Sequence, residues 1–66
     1  MKVNNQIKTL REARKIPQNQ MANDLGVSRQ TMTAIEKMKY NPSLELSLKI
    51  ARYFELPMEK IFQLEE

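Results

Sequence analysis

The chain contains one glycine, Gly26, which stands between Leu25 and the run Val-Ser-Arg-Gln-Thr-Met-Thr-Ala-Ile-Glu. Glycine enters left-handed backbone without the Cβ clash that other residues meet there. Placed directly after an apolar periodic segment, it reads as a helix C-terminus. Ser28, two residues on, reads as the N-cap of the next helix, because its side-chain oxygen accepts an orphan N–H of the first turn. Two helices then meet across a turn so short that only a sharp crossing fits, which is the outline of a helix-turn-helix.

The flanking pattern predicts three further helices and an all-α fold, a compact five-helix bundle. Ile7, Leu10 and Ala13 share one helical face, giving a first helix over 5–14. Ile16-Pro17 interrupts it. The residue before proline avoids the α region, and Pro17 suits the first position of the second helix, where its missing N–H costs nothing. That helix runs to Leu25, with Met21, Ala22 and Leu25 inward. The third runs from the Ser28 cap to Lys37, with Met32 and Ile35 inward. Tyr40-Asn41-Pro42-Ser43 is a loop in which Tyr40 packs, and Ser43 caps a fourth helix. Residues 44–50 alternate like a strand. The segment is leucine-rich rather than β-branched and continues as Ala-Arg-Tyr-Phe, so it is read as a helix over 44–54. Its two apolar rows, Leu44/Leu48/Ala51 and Leu46/Ile50/Phe54, suit a central helix of a bundle. Leu56-Pro57 repeats the earlier device and opens a short fifth helix over 57–62. The tails 1–3 and 62–64 are read either as short paired strands or as frayed ends.

Sixty-six residues make one domain of marginal size, spanning 1–66 with the helix-turn-helix at 18–37. The absence of Cys and His removes disulfides, thiolate chemistry and the usual zinc ligands, so no metal or cofactor is expected. No apolar run approaches a membrane span and no signal-type segment opens the chain, which leaves a reducing cytoplasm as the simplest setting. Charge is uneven. Residues 1–40 hold eight basic and three acidic side chains, residues 41–66 three and five. A basic front suits a surface that meets phosphates.

Counted from Gln18, a small Ala22 lets the second helix of the motif cross closely, and Leu25 and Val27 close the angle. Burying Met32 and Ile35 leaves Arg29, Gln30, Thr33, Ala34 and Lys37 pointing outward. Arg29 and Gln30 lie at the N-terminal end, which in such motifs meets base edges in the major groove. Arginine matches guanine O6/N7 and glutamine adenine N6/N7. The stretch Gly26-Val-Ser-Arg-Gln-Thr31, followed by Asn41-Pro-Ser-Leu44, resembles the Cro/CI-type (XRE) family of helix-turn-helix regulators, and in particular its short single-domain members with a lambda repressor-like fold. The likeness covers nearly the whole chain.

The resemblance implies a sequence-specific regulator of double-stranded DNA, a homodimeric repressor on an inverted repeat, with no small-molecule ligand. It implies base contacts by Arg29, Gln30, Thr33 and Ala34. It implies phosphate contacts by Gln18, Ser28, Lys37, Lys39 and Asn41, with Gln18 also bracing Gln30, and an ion pair between Arg11 and Glu36. Where the family often has Gly, this chain has Lys15 and Met38, which strain a left-handed turn by about 1–2 kcal/mol each. Pro17 replaces a capping Thr. The dimer is expected through Leu56, Pro57, Met58, Ile61 and Phe62, more apolar surface than a short terminal helix buries alone. Two other readings stay open: a DNA-binding antitoxin of a toxin–antitoxin pair, and an interaction module that has lost DNA binding. Neither a nucleophile–base pair nor a phosphate loop can be assembled, so no enzyme is expected.

Overall fold

The computed structural model describes residues 2–66. Seven elements follow in order: β1 Lys2–Asn5, α1 Ile7–Ala13, α2 Gln18–Leu25, α3 Arg29–Glu36, α4 Leu44–Phe54, α5 Met58–Ile61 and β2 Phe62–Glu65. Five helices thus enclose the core, and the tails pair as a two-stranded antiparallel sheet with Lys2 opposite Glu65 and Asn5 opposite Phe62. The tail strands extend to residues 5 and 65, beyond the expected 3 and 64; Met1 lies outside the described residues. No described helix is long and apolar enough to cross a membrane.

The helix-turn-helix forms where the glycine and serine place it. Gly26 closes α2 at φ 74, and adding a Cβ would meet nothing within 4 Å, so its use there is conformational rather than steric. Its N–H donates to Asn23 O and that of Val27 to Ala22 O, the double bond of a Schellman turn. The same pair of bonds ends α1 with Lys15 at φ 58, α3 with Met38 at φ 61 and α4 with Glu55 at φ 56. Each helix from α1 to α4 therefore stops on one left-handed residue, and three of the four have a Cβ. Ile16, Val27 and Leu56, the residues just after three of these turns, pack against the core and hold the chain there.

Ser28 and Ser43 cap α3 and α4 by accepting the Thr31 and Leu46 N–H groups at 3.0 and 3.1 Å. Pro17 and Pro57 sit one position earlier than expected, as N-caps with extended ψ of 147 and 155. The ring fixes φ but leaves ψ free, and the Pro17 carbonyl still accepts the first intrahelical bond, from Met21. The first helix begins at Ile7, not 5, because Asn5 belongs to β1 and its Oδ1 accepts the Ile7 N–H at 3.1 Å. At the other end α5 stops at Ile61, and Phe62 is already extended.

The core consists of Ile7, Met21, Ala22, Leu25, Met32, Ile35, Ile50, Phe54 and Ile61. Two expected rows differ. Ala13 is exposed, and α4 buries Ser47, Ile50 and Phe54 while Leu44 and Leu48 stand 72% and 55% exposed. The polar Ser47 is accommodated by donating its hydroxyl proton to Ser43 O. Arg14 donates to Phe54 O at 2.7 Å and stacks on its ring, so α1 satisfies a carbonyl at the end of α4.

Candidate nucleic-acid interface

α3 lies with Met32 and Ile35 in the core, which turns its opposite side outward. Arg29 and Gln30 are exposed there, Thr33 and Ala34 half-buried, and Lys37 and Lys39 exposed beyond the C-terminal end. These six line one shallow hollow of about 400 Å³. Asn41 is exposed in the loop that follows and is not part of its lining.

Beneath this face runs a chain of polar contacts. Arg11 Nε donates to Glu36 Oε2 at 2.8 Å and Nη2 to Oε1 at 3.2 Å, while Nη1 donates to Ile16 O at 2.8 Å. The two side chains are only 10% and 3% exposed. Hydrogen bonding to Glu36 raises the guanidinium above its ordinary value against the opposing effect of burial. Gln18 Nε2 donates to Glu36 Oε1 at 3.1 Å, which fixes which end of the amide faces inward. Gln18 Oε1 then faces α3 and accepts from Arg29 Nε at 3.3 Å; Thr33 Oγ1 lies at the same distance, with its one proton shared between Gln18 Oε1 and the Arg29 carbonyl at 3.0 Å. The brace expected from Gln18 to Gln30 is thus made to Arg29 and Thr33 instead. Residues 29 and 33 are one turn apart on the side of α3 that faces α2, whereas residue 30 is rotated away.

The Ser28 hydroxyl both accepts the Thr31 N–H and donates to Thr31 Oγ1 at 2.9 Å, so its proton is engaged within the protein. Lys8 joins the site in a cleft shared with Arg11, Gln18, Thr33, Glu36 and Lys37. In the sequence it is one basic residue among eight in the front half, and only its three-residue spacing from Arg11 marks it. The cations therefore surround a face whose acid, Glu36, is buried and neutralised by Arg11.

At the C-terminal end, Ile61 has no accessible surface within the protomer, which removes it from the expected apolar contact face. Leu56, Met58 and Phe62 are half-buried, Pro57 is exposed, and Leu64 on β2 is 67% exposed.

A family model described as helix-turn-helix matches residues 7–61. An uncharacterized HTH-type transcriptional regulator of Methanocaldococcus jannaschii is 48% identical over 62 residues, covering 94% of both chains. One of Bacillus subtilis is 47% identical over the same share. The phage CTXphi transcriptional repressor RstR of Vibrio cholerae is 34% identical over 83% of this chain and 50% of its own length. Among solved structures, a protein of Bacteroides fragilis described as a candidate DNA-binding protein superposes with a TM-score of 0.83. It covers 92% of this chain and 98% of its own at 21% identity, a likeness of fold.

Proposed function

Since the chain belongs to the Cro/CI-type (XRE) helix-turn-helix family of transcriptional regulators, we propose that it binds double-stranded DNA sequence-specifically as a homodimer and represses transcription by occupying its operator. The observation that carries this reading is the acceptor Gln18 Oε1, which holds the exposed Arg29 guanidinium in place at the start of α3. A rigid helix face with a positioned guanidinium is preorganised for the base edges of the major groove. Arg29, Gln30, Thr33 and Ala34 meet bases, and Gln18, Lys37, Lys39 and Asn41 lie along the phosphates, with Lys8 as an addition. Ser28 acts first as the N-cap of α3, and with its hydroxyl proton engaged by Thr31 its backbone N–H is the group that meets a phosphate.

One such helix reads only a few base pairs, and a two-fold dimer doubles the site. The partner surface is assigned to Leu56, Pro57, Met58 and Phe62, which keep accessible apolar surface at the C-terminal end. Two α3 helices about 34 Å apart then read an inverted repeat with half-sites one turn apart. Repression is favoured by the name of the Vibrio cholerae relative. Selection of bound duplexes from a random library tests the whole reading. The expected result is an inverted-repeat consensus with a steep salt dependence, and a promoter carrying it should be silenced in a reporter assay. Binding with no consensus and no salt dependence would contradict it.

A further inference from the structure

We propose that the outer face of α4 is a self-complementary contact through which one copy of the chain meets a second about a two-fold axis, separate from the surface at the C-terminal end. α4 buries Ser47, Ile50 and Phe54, and its other side carries Leu44, Glu45, Leu48, Lys49 and Arg52, all exposed. Leu44 and Leu48 are one turn apart and each more than half accessible, so their apolar surfaces adjoin. Beside Leu48 a shallow hollow of about 270 Å³ is lined by α4 alone, by Glu45, Leu48, Lys49 and Arg52. The charges are ordered along the helix, with the acid before Leu48 and the bases after it. Glu45 pairs with Lys49 at 3.5 Å, but both side chains are more than half exposed, and such a pair holds neither firmly. Arg52 belongs to neither of the two ion pairs found among the described residues.

A face with its acid first and its bases last complements an antiparallel copy of itself, as an isologous contact requires. Along the helix axis Glu45 stands about 4.5 Å before Leu48, and Arg52 about 6 Å after it. With the two-fold axis at Leu48, that leucine meets its own copy. Glu45 of each chain then comes nearly level with Arg52 of the other, so the ion pair forms twice. Leu44 and Arg52 are equally far from Leu48, and the arginine stem of one copy covers Leu44 of the other. A partner of uniform charge would satisfy only one end of the face. So few side chains fall short of the ~800 Å² per partner of a stable interface, so the contact acts where copies are already held close. On the DNA-binding reading, that place is a pair of neighbouring operators.

The chain has no cysteine, so a single introduced thiol reports its own neighbour. Leu48→Cys, with Thr9→Cys on the exposed side of α1 as control, is equilibrated in glutathione buffer at high micromolar concentration without DNA. The disulfide-linked fraction is read on non-reducing gels. The expected result is about tenfold more linked chain for Leu48→Cys than for the control. The excess should persist when Met58→Asp removes the C-terminal surface. Adding Glu45→Arg or Arg52→Glu makes both pairs repulsive and should abolish most of the excess, and adding the two together should restore it. All these positions but Met58 are exposed, so their variants should keep the wild-type circular dichroism. Damage to α4 itself would not be undone by the second reversal. Linking no greater than the control overturns the proposal, as does an excess that disappears with Met58→Asp or a loss that the double reversal leaves in place. With no DNA present, failure of the operator reading leaves this result untouched.

Discussion

Arg11 and Glu36 lie 25 positions apart and form a two-point ion pair, Nε to Oε2 at 2.8 Å and Nη2 to Oε1 at 3.2 Å, that ties α1 to the last turn of α3. Both charges are out of water, so removing one leaves the other uncompensated. Arg11→Met or Glu36→Gln should each cost about 3–5 kcal/mol. That is a large part of the stability of so small a chain. In a double-mutant cycle by urea denaturation the double variant should lose much less than the two single losses combined, and coupling near zero would contradict the geometry.

Base readout and phosphate contact predict different losses. Gln30→Ala should cost about 1–3 kcal/mol at one base pair and flatten the preference there. Lys39→Ala should weaken all duplexes alike and reduce the salt slope by about one. Titrations against the selected site and its single-base variants separate them. A uniform loss in both variants would remove Gln30 from base contact.

Tyr53 donates to Asp24 Oδ2 at 2.7 Å and joins α4 to α2. Burial, then the bond to Asp24, pushes the phenol up to about 12. An unfolded tyrosine ionises near pH ~10, so the native state holds this proton more tightly. The contribution is whole below pH ~10 and is lost as pH rises through ~12. The comparison is with Tyr53→Phe, which lacks only the phenol oxygen and its proton. The gap in urea midpoint between the two proteins should narrow steadily over that range, and a gap that does not change with pH would show that the phenol proton is not what is held.

Met58 is half-buried in the surface assigned to the partner subunit, whereas Ile61 belongs to the protomer core. Met58→Asp should therefore yield a folded monomer, read as a halved mass in sedimentation with helical circular dichroism retained. Ile61→Asp should unfold the protein instead. A wild type that sediments as a monomer at high micromolar concentration, or a dimeric Met58→Asp, would remove this interface.

What was legible in the sequence was local. Gly26, Ser28 and Ser43 announce helix ends through their own backbone and side-chain chemistry, and Met32 and Ile35 announce a buried face by spacing. The Arg11–Glu36 pair came from the family likeness rather than from spacing. Glu55 shows the limit. Nothing in a glutamate favours φ 56, and it turns left-handed because Leu56 must return to the core. Leu44 and Leu48 show it again. Their apolar spacing predicts burial, but Ser47 takes the inward position, and its hydroxyl is satisfied by the Ser43 carbonyl one turn back. The choice of Arg29 and Thr33 by Gln18 depends on the amide orientation that Glu36 imposes, a fact of α2 and α3 meeting.

The strand pair has a consequence in time. Pairing Lys2 with Glu65 closes almost the full length of the chain, whereas the helices and the α2–α3 turn close over a few residues. Long closures bear the larger entropic penalty, so local helices should assemble first and the sheet last. Amides of β1 and β2 should then exchange with solvent well before those in the middle of α2 and α4, and uniform protection would instead indicate a single opening unit. Asn5, the last residue of β1, donates to the Ile35 carbonyl at 2.9 Å, so the final turn of α3 receives its last bond only when the two ends of the chain have met. Opening of the chain ends should thus release this bond at the far end of the helix that carries Arg29 and Gln30, leaving the Ile35 carbonyl to the Met38 N–H alone.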